Sequence, residues 1–324
     1  MKLENYLPKK KFSQTDMLCL QDYTADEIYQ VLSLALKLKH MRKNNIQHDL
    51  LLGKTLAMIF TKSSTRTRVS FEAGMQQLGG HAMFLSGNDI QLGRGEPISD
   101  TAQVMSRMVD CIMIRTFKQS DIEELAKYSS VPVINALSDD LHPCQVLADL
   151  QTIYEHKGRL EGLKLAYIGD GNNMAHSLMI GCTKVGMNVS IGCPDGYRPA
   201  EKYVAMAKEN ANSNNCKLVI TPDPREAIKD ADIVYCDVWA SMGQESEQKI
   251  REKAFKGFCV DKDMFSLAKS DACFMHCLPA HRGEEVSAEV IDSPASIIFD
   301  EAENRLHAQK ALMVLLVNGW PNNI

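Results

Sequence analysis

Residues 55–80 read TLAMIFTKSSTRTRVSFEAGMQQLGG, a pattern that predicts a strand followed at once by a helix. The apolar run Thr55–Phe60 suits a buried strand, and apolar residues then recur at helical spacing until the Gly79-Gly80 pair. Ser64 and Thr65 therefore lie where the helix begins, next to backbone N–H groups that have no acceptor within the helix. Because the positive end of the helix dipole points at the same place, such a turn binds phosphate and similar oxyanions.

Two arginines in the first turn of this helix favour an anion site further. Arg66 and Arg68 place positive charge where the helix dipole disfavours it unless an anion compensates, and guanidinium groups pair well with phosphate. The simpler alternative is that Ser64 only caps the helix and that both arginines are solvated. A P-loop is excluded, because His48 stands where its first glycine is required and Gly53-Lys54-Thr55 precedes the strand.

The composition is that of an ordinary two-domain globular protein. The chain has 324 residues, of which 45% are hydrophobic, enough for two separate cores. Its net charge of −5, without a basic tract, argues against a nucleic-acid partner. No apolar run approaches the roughly 18 residues of a membrane span, and the N-terminus lacks a signal-peptide pattern. We therefore expect a cytoplasmic protein without a membrane partner, whose ten cysteines are reduced and mostly buried.

Strand and helix patterns alternate along the chain, which predicts an α/β protein with two doubly wound parallel-sheet domains joined by helices. The first domain is expected to span residues 1–145 and the second residues 146–324. A strongly apolar helix at about residues 302–318 must be buried, and we expect it to pack back on the first domain. Strands are predicted at residues 55–60, 81–86, 111–117, 131–136, 164–168, 188–193, 217–221, 233–238, 274–277 and 297–299.

Polar and reactive residues follow these predicted strands repeatedly. In open parallel sheets, ligands bind at the carboxyl ends of the strands. Residues with binding or catalytic chemistry at such ends are therefore candidates for one or more sites. They are Ser64–Thr67, Arg115, His142–Gln145, Gly169–Asn173, Asp237–Gly243 and His276–Pro279.

Four of these segments, in this order, resemble the motifs of the ornithine carbamoyltransferases. They are STRTR at 64–68, HPCQ at 142–145, DVWASMG at 237–243 and HCLP at 276–279. The first two motifs are shared by the wider aspartate/ornithine carbamoyltransferase family, and the resemblance extends from about residue 20 to residue 318. Cys144 is a departure, because threonine is common at that position of the family motif.

The resemblance implies transfer of a carbamoyl group from carbamoyl phosphate to the δ-amine of ornithine, giving citrulline and phosphate. It assigns carbamoyl phosphate to Ser64, Thr65, Arg66, Thr67, Gln91, Arg115, His142, Gln145, Cys277, Leu278 and Arg305. It assigns ornithine to Asn173, Asp237, Ser241 and Met242. Catalysis would fall to Arg66, Arg115, His142, Asp237 and Cys277. Members of the family are typically trimers or multiples of trimers, so a homotrimer is expected.

The chemistry of the reaction gives these residues specific tasks. Ornithine must attack as a neutral amine, yet an ammonium group of this kind has a pKa of about 10 in water. The resemblance places Asp237 and Cys277 at the amine, while His142 and Arg66 would donate to the carbamoyl oxygen as it gains negative charge. No cofactor is expected, because phosphate is a good leaving group. The loop Asp237–Met242 is expected to close once carbamoyl phosphate is bound.

The surroundings of Cys277 admit other interpretations. A lone cysteine at a strand end is commonly a small buried apolar residue. Cys273, His276 and Cys277 lack the second ligand pair of a zinc site, so no metal is expected. His276 neighbours Cys277 on the predicted strand, so alternation places it on the opposite face, where its role would be structural.

Three alternative functions follow from the same sequence. Putrescine carbamoyltransferases also carry HCLP but generally lack the Ser-Met-Gly sequence, and their C-terminus is longer. Gly169-Asp-Gly171 after a strand resembles part of a dinucleotide fingerprint, which would indicate a nucleotide-binding oxidoreductase, but the third glycine is missing. A binding protein without catalytic activity is the last alternative, and the presence of Arg66, His142, Asp237 and Cys277 argues against it.

Overall fold

The computed structural model describes residues 2–3, 6–240 and 245–321, which fold into two compact units. The first unit comprises the chain up to Gln151 together with the segment from Glu303 onward, and the second comprises Thr152–Ala302. Each unit contains one fully parallel sheet flanked by helices. Within the described ranges, no helix has both the length and the apolar character needed to span a membrane.

The sheet of the first unit has the strand order β2-β1-β3-β4. Phe60 pairs with both Ser86 and Arg115, so three of the strands end at the same level. This edge is where ligands collect in parallel sheets. The strands are β1 (Thr55–Phe60), β2 (His81–Ser86), β3 (Cys111–Arg115) and β4 (Val133–Leu137).

The first and last helices of the first unit are fixed by side-chain contacts. The first opens with a capping box, in which Thr24 and Glu27 satisfy each other's backbone N–H groups. The last is anchored on the helix after β1, because Gln309 donates to the Ser70 hydroxyl at 3.0 Å. These helices are α1 (Ala25–Lys43), α2 (Thr65–Gln77), α3 (Ile98–Met105), α4 (Gln119–Tyr128), the part of α5 (Pro143–Lys157) up to Gln151, and the part of α12 (Ile298–Asn318) from Glu303 onward.

The sheet of the second unit has the strand order β7-β6-β5-β8-β9, so the chain leaves its central strand first to one side and then to the other. Ligands of doubly wound sheets bind at this reversal. The strands are β5 (Lys164–Ile168), β6 (Asn188–Gly192), β7 (Leu218–Thr221), β8 (Ile233–Cys236) and β9 (Cys273–His276). The helices are α6 (Asn173–Lys184), α7 (Glu201–Ser213), α8 (Pro224–Ile228), α9 (Gln248–Ala254), α10 (Lys262–Phe265) and α11 (Ala288–Ile291).

The predicted α/β class with two parallel sheets is confirmed, and the C-terminal helix does pack on the first unit. The predicted strand at 297–299 is wrong. Ile297 does bond to the edge of β9, donating its N–H to the Phe274 carbonyl at 3.0 Å, but helix α12 begins at the next residue. Asp300 and Glu301 lie in the first turn of that helix, where the dipole favours negative charge, and this outweighs the β-propensity of the short apolar run.

Candidate active site

The N-terminus of α2 forms the first part of the candidate site. Ser64 is the N-cap, and its hydroxyl accepts the Thr67 N–H at 3.3 Å and lies 3.1 Å from the Thr67 hydroxyl. Thr65 and Arg66 occupy the first turn, whose backbone N–H groups point out of the helix. The sequence between β1 and α2 is short, so this turn lies directly at the sheet edge. An oxyanion at this place would meet hydroxyl groups and amide hydrogens together.

His142 lies in a strongly positive part of the first unit. It is buried and directly precedes Pro143, the first residue of α5. Burial lowers the pKa of this imidazole well below its usual value, and positive charges lower it further. The ring is therefore neutral at physiological pH and can donate one hydrogen bond without carrying charge. The charges that act on it are those of Arg305, Arg115, Arg66 and Lys62.

Arg305 of α12 joins residues from three helices. Its Nη1 donates to the Gln145 side-chain oxygen at 2.7 Å, and its Nη2 lies 3.3 Å from the Thr67 hydroxyl. Its Nε donates to the Gln309 oxygen at 2.9 Å. The structure thus brings together Thr67, Gln145 and Arg305, which are 238 positions apart at the extremes. Gln309 was missed, although its position one turn after Arg305 on the same helix was a usable signal.

Arg68 and Gln91 lie away from this cluster. Arg68 donates to Glu72 at 3.2 Å on the helix surface, and its guanidinium carbon lies 3.8 Å from the centre of the Phe84 ring. The interpretation of Arg68 as part of the anion site is therefore wrong, because its side chain follows the exposed face of α2. Gln91 is exposed on a 3-10 turn and lines a separate pocket with Leu85 and Val104.

Asp237 and Cys277 meet in the second unit. Cys236 pairs with His276 at the ends of β8 and β9, so the residues that follow them are neighbours. The Cys277 thiol donates to Asp237 Oδ1 at 3.2 Å, and the Val238 N–H donates to the same oxygen at 2.9 Å. The carboxylate is thereby held in one orientation at the edge of the sheet.

Asn172 holds the other oxygen of Asp237. The sequence placed it in the candidate segment after β5, but the family resemblance gave it no role. Its Nδ2 donates to Asp237 Oδ2 at 2.8 Å, while its own oxygen caps α6 by accepting the Met174 N–H at 2.9 Å. The Tyr167 hydroxyl adds a third contact to that oxygen at 3.2 Å. Asn173, which the resemblance singled out, is the first residue of α6 and is buried. The preference of asparagine for N-cap positions was the available signal for Asn172.

His276 braces the turn that carries Cys277 and Leu278. The ring is fully buried; its Nδ1 accepts the Leu278 N–H at 2.9 Å and its Nε2 lies 3.2 Å from Glu285 Oε1. Since Nδ1 accepts, Nε2 carries the proton of a neutral ring. These contacts favour a structural role, but the reason given from alternation is wrong, because β9 ends at His276 and Cys277 lies beyond it.

Asp237, His276 and Cys277 could together offer three ligand atoms to a metal ion. These atoms lie within 4.8 Å of one another. Thiolate, imidazole and carboxylate groups suit zinc, but both ring nitrogens of His276 already have hydrogen-bond partners. Metal binding there would first have to break one of those bonds.

Residues 197–199 close over the Gly-Asp-Gly segment after β5. A side chain at Gly171 would come within 2.2 Å of the Pro199 nitrogen, and the Gly171 N–H donates to the Tyr197 carbonyl at 2.8 Å. In a dinucleotide-binding fold, the cofactor's pyrophosphate approaches this backbone. Here the close approach is made by the chain itself, which argues against a nucleotide-binding oxidoreductase. Ser241, Met242 and the predicted closure of the Asp237–Met242 loop lie outside the described residues.

Comparison with known proteins agrees with this geometry. Residues 15–155 match the carbamoyl-P binding domain of aspartate/ornithine carbamoyltransferases, and residues 161–316 match the Asp/Orn binding domain of the same enzymes. The fold and these two matches define a carbamoyltransferase. The chain belongs to the aspartate/ornithine carbamoyltransferase family.

Individual relatives narrow the comparison to one branch of that family. An ornithine carbamoyltransferase of Pyrococcus abyssi is 58% identical over 304 residues, 94% of this chain and 96% of the relative. An anabolic ornithine carbamoyltransferase of Pyrococcus furiosus is 57% identical over 304 residues, with the same coverage of 94% and 96%. A solved structure of the ornithine carbamoyltransferase from Pyrococcus furiosus superimposes with a TM-score of 0.92 at 56% identity, covering 95% of this chain and 98% of that one.

Proposed function

We propose that this chain is an ornithine carbamoyltransferase, which transfers the carbamoyl group of carbamoyl phosphate to the δ-amine of L-ornithine and yields L-citrulline and phosphate. The observation that carries the proposal is the Asp237–Cys277 pair, with the thiol 3.2 Å from the carboxylate. A carboxylate with a weakly polar thiol suits an amino group, whereas aspartate as second substrate would bring another negative charge to it. The names of relatives that are 57–58% identical support the same substrate.

The first unit supplies the groups that would bind carbamoyl phosphate. The dianionic phosphate would accept hydrogen bonds from the hydroxyls and amides at the start of α2 and from Arg66 and Arg115. The remaining assignments made from the resemblance are retained in this proposal. Contacts to carbamoyl phosphate would come from Ser64, Thr65, Thr67, Gln91, Gln145, Cys277, Leu278 and Arg305.

His142 and Arg66 would stabilise the carbamoyl oxygen. This oxygen gains negative charge when the amine attacks the carbonyl carbon, and donors held in advance at that place contribute about 3 kcal/mol each. His142 suits the task because its buried, neutral ring still carries one N–H that it can donate to the oxygen. Gln145 would hold the carbamoyl NH2 group.

The second unit supplies the groups that would hold ornithine. Asn173 would bind the α-groups, with Ser241 and Met242 as further contacts, and Asp237 with Cys277 would orient the δ-amine. The neutral amine forms the new C–N bond while the C–O bond to phosphate breaks. The proton that the nitrogen loses is taken up by the departing phosphate, so the reaction needs no cofactor.

We also propose the domain roles, a trimeric assembly and a cytoplasmic place in arginine biosynthesis. Residues 1–145 would bind carbamoyl phosphate and residues 146–324 ornithine, with the helix at about 302–318 returning to the first domain. Large apolar side chains are exposed on several elements of the first unit, which favours burial against a second copy. They are Val69, Phe84, Val104 and Met108. Sedimentation equilibrium should give three times the 36.1 kDa chain mass.

A citrulline assay tests the proposed reaction. Purified protein is supplied with carbamoyl phosphate and with ornithine, putrescine or aspartate at equal concentrations, and the products are separated by mass. Citrulline should form fastest. Faster carbamoylation of putrescine would assign the chain to a diamine-specific enzyme, and binding of carbamoyl phosphate without any product would indicate a protein that has lost catalysis.

A further inference from the structure

Arg251 of α9 joins two loops of the second unit through one buried guanidinium group. Its Nη1 donates to Asp170 Oδ2 at 2.6 Å and to the Trp239 carbonyl at 2.8 Å. Its Nε donates to Glu247 Oε2 at 3.0 Å. The side chain of Arg251 is only 7% exposed and that of Asp170 only 11%, so this ion pair is largely shielded from water.

Both loops held by Arg251 carry residues of the proposed ornithine site. Asp170 lies in the loop after β5 that leads to Asn172 and Asn173, and Trp239 lies two residues beyond Asp237. The two loops are also joined directly, because Asn172 donates to Asp237 at 2.8 Å. A change in the position of Arg251 would therefore move the Asp237 carboxylate and the start of α6 together.

Packing fixes the guanidinium and the Trp239 backbone in place. The Arg251 guanidinium lies 5.1 Å from the centre of the Tyr197 ring. The Trp239 ring stacks on Phe255 at 5.6 Å with an interplanar angle of 20°, and Phe255 is completely buried at the C-cap of α9. The arrangement is rigid on both sides of the Arg251–Trp239 contact.

Arg251 also compensates a negative charge close to the carboxylate that would meet the amine. Burial raises the pKa of Asp170, and the charge and hydrogen bond of Arg251 oppose that effect. Asp237 adds a repulsive negative charge. The other titratable groups that sense Asp170 are Tyr167 and Cys193, and those that sense Asp237 are Tyr167, Cys236 and Cys277. Without Arg251, Asp170 would be an uncompensated second carboxylate next to Asp237.

We propose that Arg251 is a positioning residue for the amino-acid substrate: it sets the place of Asp237 and Asn173 through the Trp239 carbonyl and Asp170, and it cancels the charge of Asp170. The inference rests on the proposed ornithine carbamoyltransferase function. Its alternative is that Arg251 only braces the second unit against unfolding. A brace would affect thermal stability without separating one substrate from the other.

The test compares Arg251→Met, Arg251→Lys, Asp170→Asn and the double variant Arg251→Met/Asp170→Asn. Arg282→Met is the matched control, because the Arg282–Asp292 pair is an exposed ion pair of the same unit. Steady-state kinetics for both substrates, inhibition by L-norvaline, the pH profile and the melting temperature are measured. Norvaline has the carbon chain of ornithine but lacks the terminal amine, so it separates binding of the α-groups from recognition of the amine.

In Arg251→Met, kcat/KM for ornithine should fall about 100-fold, because a small displacement of a reacting group has an effect of this size. The KM for carbamoyl phosphate should change less than about twofold, because the residues that Arg251 positions are proposed to bind ornithine and not carbamoyl phosphate. The pH profile should move to higher pH, because an uncompensated carboxylate stabilises the ammonium form of the substrate. The double variant should restore the pH profile, and Arg251→Lys should keep it near that of the wild type. In both variants, positions 170 and 251 together carry the same net charge as in the wild type.

The inference would be overturned if the kinetic constants for both substrates changed equally and the pH profile stayed the same. Arg251 would then serve only to stabilise the second unit. If Arg251→Met does not fold, Asp170→Asn tests the same ion pair: it leaves the charge of Arg251 uncompensated, so the pH profile should move to lower pH while the KM for carbamoyl phosphate changes less than about twofold. The proposed function is tested separately, by citrulline production in the wild type. Only if the wild type produces citrulline do the kinetics of the variants test the role of Arg251.

A binding measurement covers the case of a wild type without activity. In a Trp320→Phe background Trp239 is the single tryptophan, because the chain has two. Its fluorescence should report binding of L-norvaline, which lacks the amine that an uncompensated Asp170 would attract. Arg251→Met should weaken that binding about tenfold, as expected when a hydrogen bond to the charged α-groups is displaced. Undiminished affinity in Arg251→Met would refute the positioning role.

Discussion

Arg305 donates to the side-chain oxygen of Gln145 at 2.7 Å, which ties α12 to the first turn of α5. Gln145 in turn donates to the buried Asp149 at 2.9 Å, and Arg305 is also held by Gln309. The cation proposed to meet carbamoyl phosphate is thus fixed by residues from distant parts of the chain. The first unit therefore offers an ordered set of donors for an anion, which favours tight binding of a charged ligand.

Gln309→Leu should weaken binding of carbamoyl phosphate and leave binding of ornithine unchanged. The change removes the acceptor of Arg305 Nε and the donor to Ser70, both buried, so the protein should lose about 1–3 kcal/mol of stability. The KM for carbamoyl phosphate should rise about tenfold, because Arg305 becomes free to move. Gln103→Leu, an exposed helical glutamine, is the control. An unaltered KM for carbamoyl phosphate in a folded Gln309→Leu would contradict the positioning role of Gln309.

Arg66→Met should reduce turnover by about 100-fold or more, because one donor to the carbamoyl oxygen and the phosphate is lost. Arg68→Met is the matched control two residues along the same helix. Its guanidinium pairs with Glu72 at the surface, so turnover should stay within about twofold of the wild type, as is usual for an exposed pair. Turnover of both variants is measured as the initial rate at saturating substrate concentrations. Equal losses in the two would contradict the assignment of Arg66 to the site and of Arg68 to the surface.

Cys277→Ser should impair the use of ornithine and displace the pH profile. Serine keeps a hydrogen-bond donor for Asp237. Because the C–O bond is shorter than the C–S bond, the hydroxyl would not reach the position of the thiol, which lies 3.2 Å from Asp237 Oδ1. We expect kcat/KM for ornithine to fall by about tenfold, with the effect concentrated on the amine-dependent limb of the profile. Cys216→Ser, a half-buried thiol elsewhere in the same unit, should leave the profile unchanged. An unshifted profile in Cys277→Ser would remove Cys277 from selection of the neutral amine.

Two buried histidines of the first unit should make the protein acid-sensitive. Burial, followed by the charge of Lys310, lowers the pKa of His307 to about 3, and the pKa of His142 is also well below its usual value. Below pH of about 6.5 the unfolded chain binds protons at these rings and the folded chain does not, so stability falls as pH falls through this window.

The size of this effect can be measured through His307. At pH 5 it should contribute about 2 kcal/mol of the loss, since each pKa unit corresponds to about 1.4 kcal/mol. Urea unfolding at pH 7 and pH 5 should therefore show a smaller difference for His307→Gln than for the wild type. His281→Gln, whose side chain is half exposed, is the control and should behave as the wild type. An identical pH dependence in His307→Gln would exclude His307 as a source of acid sensitivity.

Elements with strong local signals were predicted closely. Strands β1, β2 and β5 have the predicted bounds, because each is an apolar run with polar residues at both ends. The strand predicted at 233–238 ends earlier, at Cys236, and this difference places Asp237 in a loop. The site residues on motifs were proposed from the resemblance, which gave no role to Asn172, Gln309 or Arg251. Asn172 and Arg251 bond to residues that lie far from them in the sequence, and Gln309 belongs to none of the motifs.

The sequence alone determined the kind of sheet and the helix start at Ser64, because these depend on neighbours within a few positions of the chain. The proposed site residues came from the resemblance of its motifs to a known family. Only the tertiary structure decided which donor meets which acceptor: Arg305 donates to Thr67, Asn172 to Asp237, and Arg251 to Asp170. These pairs lie 238, 65 and 81 positions apart. The physical reason is that their contacts depend on strand register and helix packing, which bring together residues that have no periodic relation in the sequence.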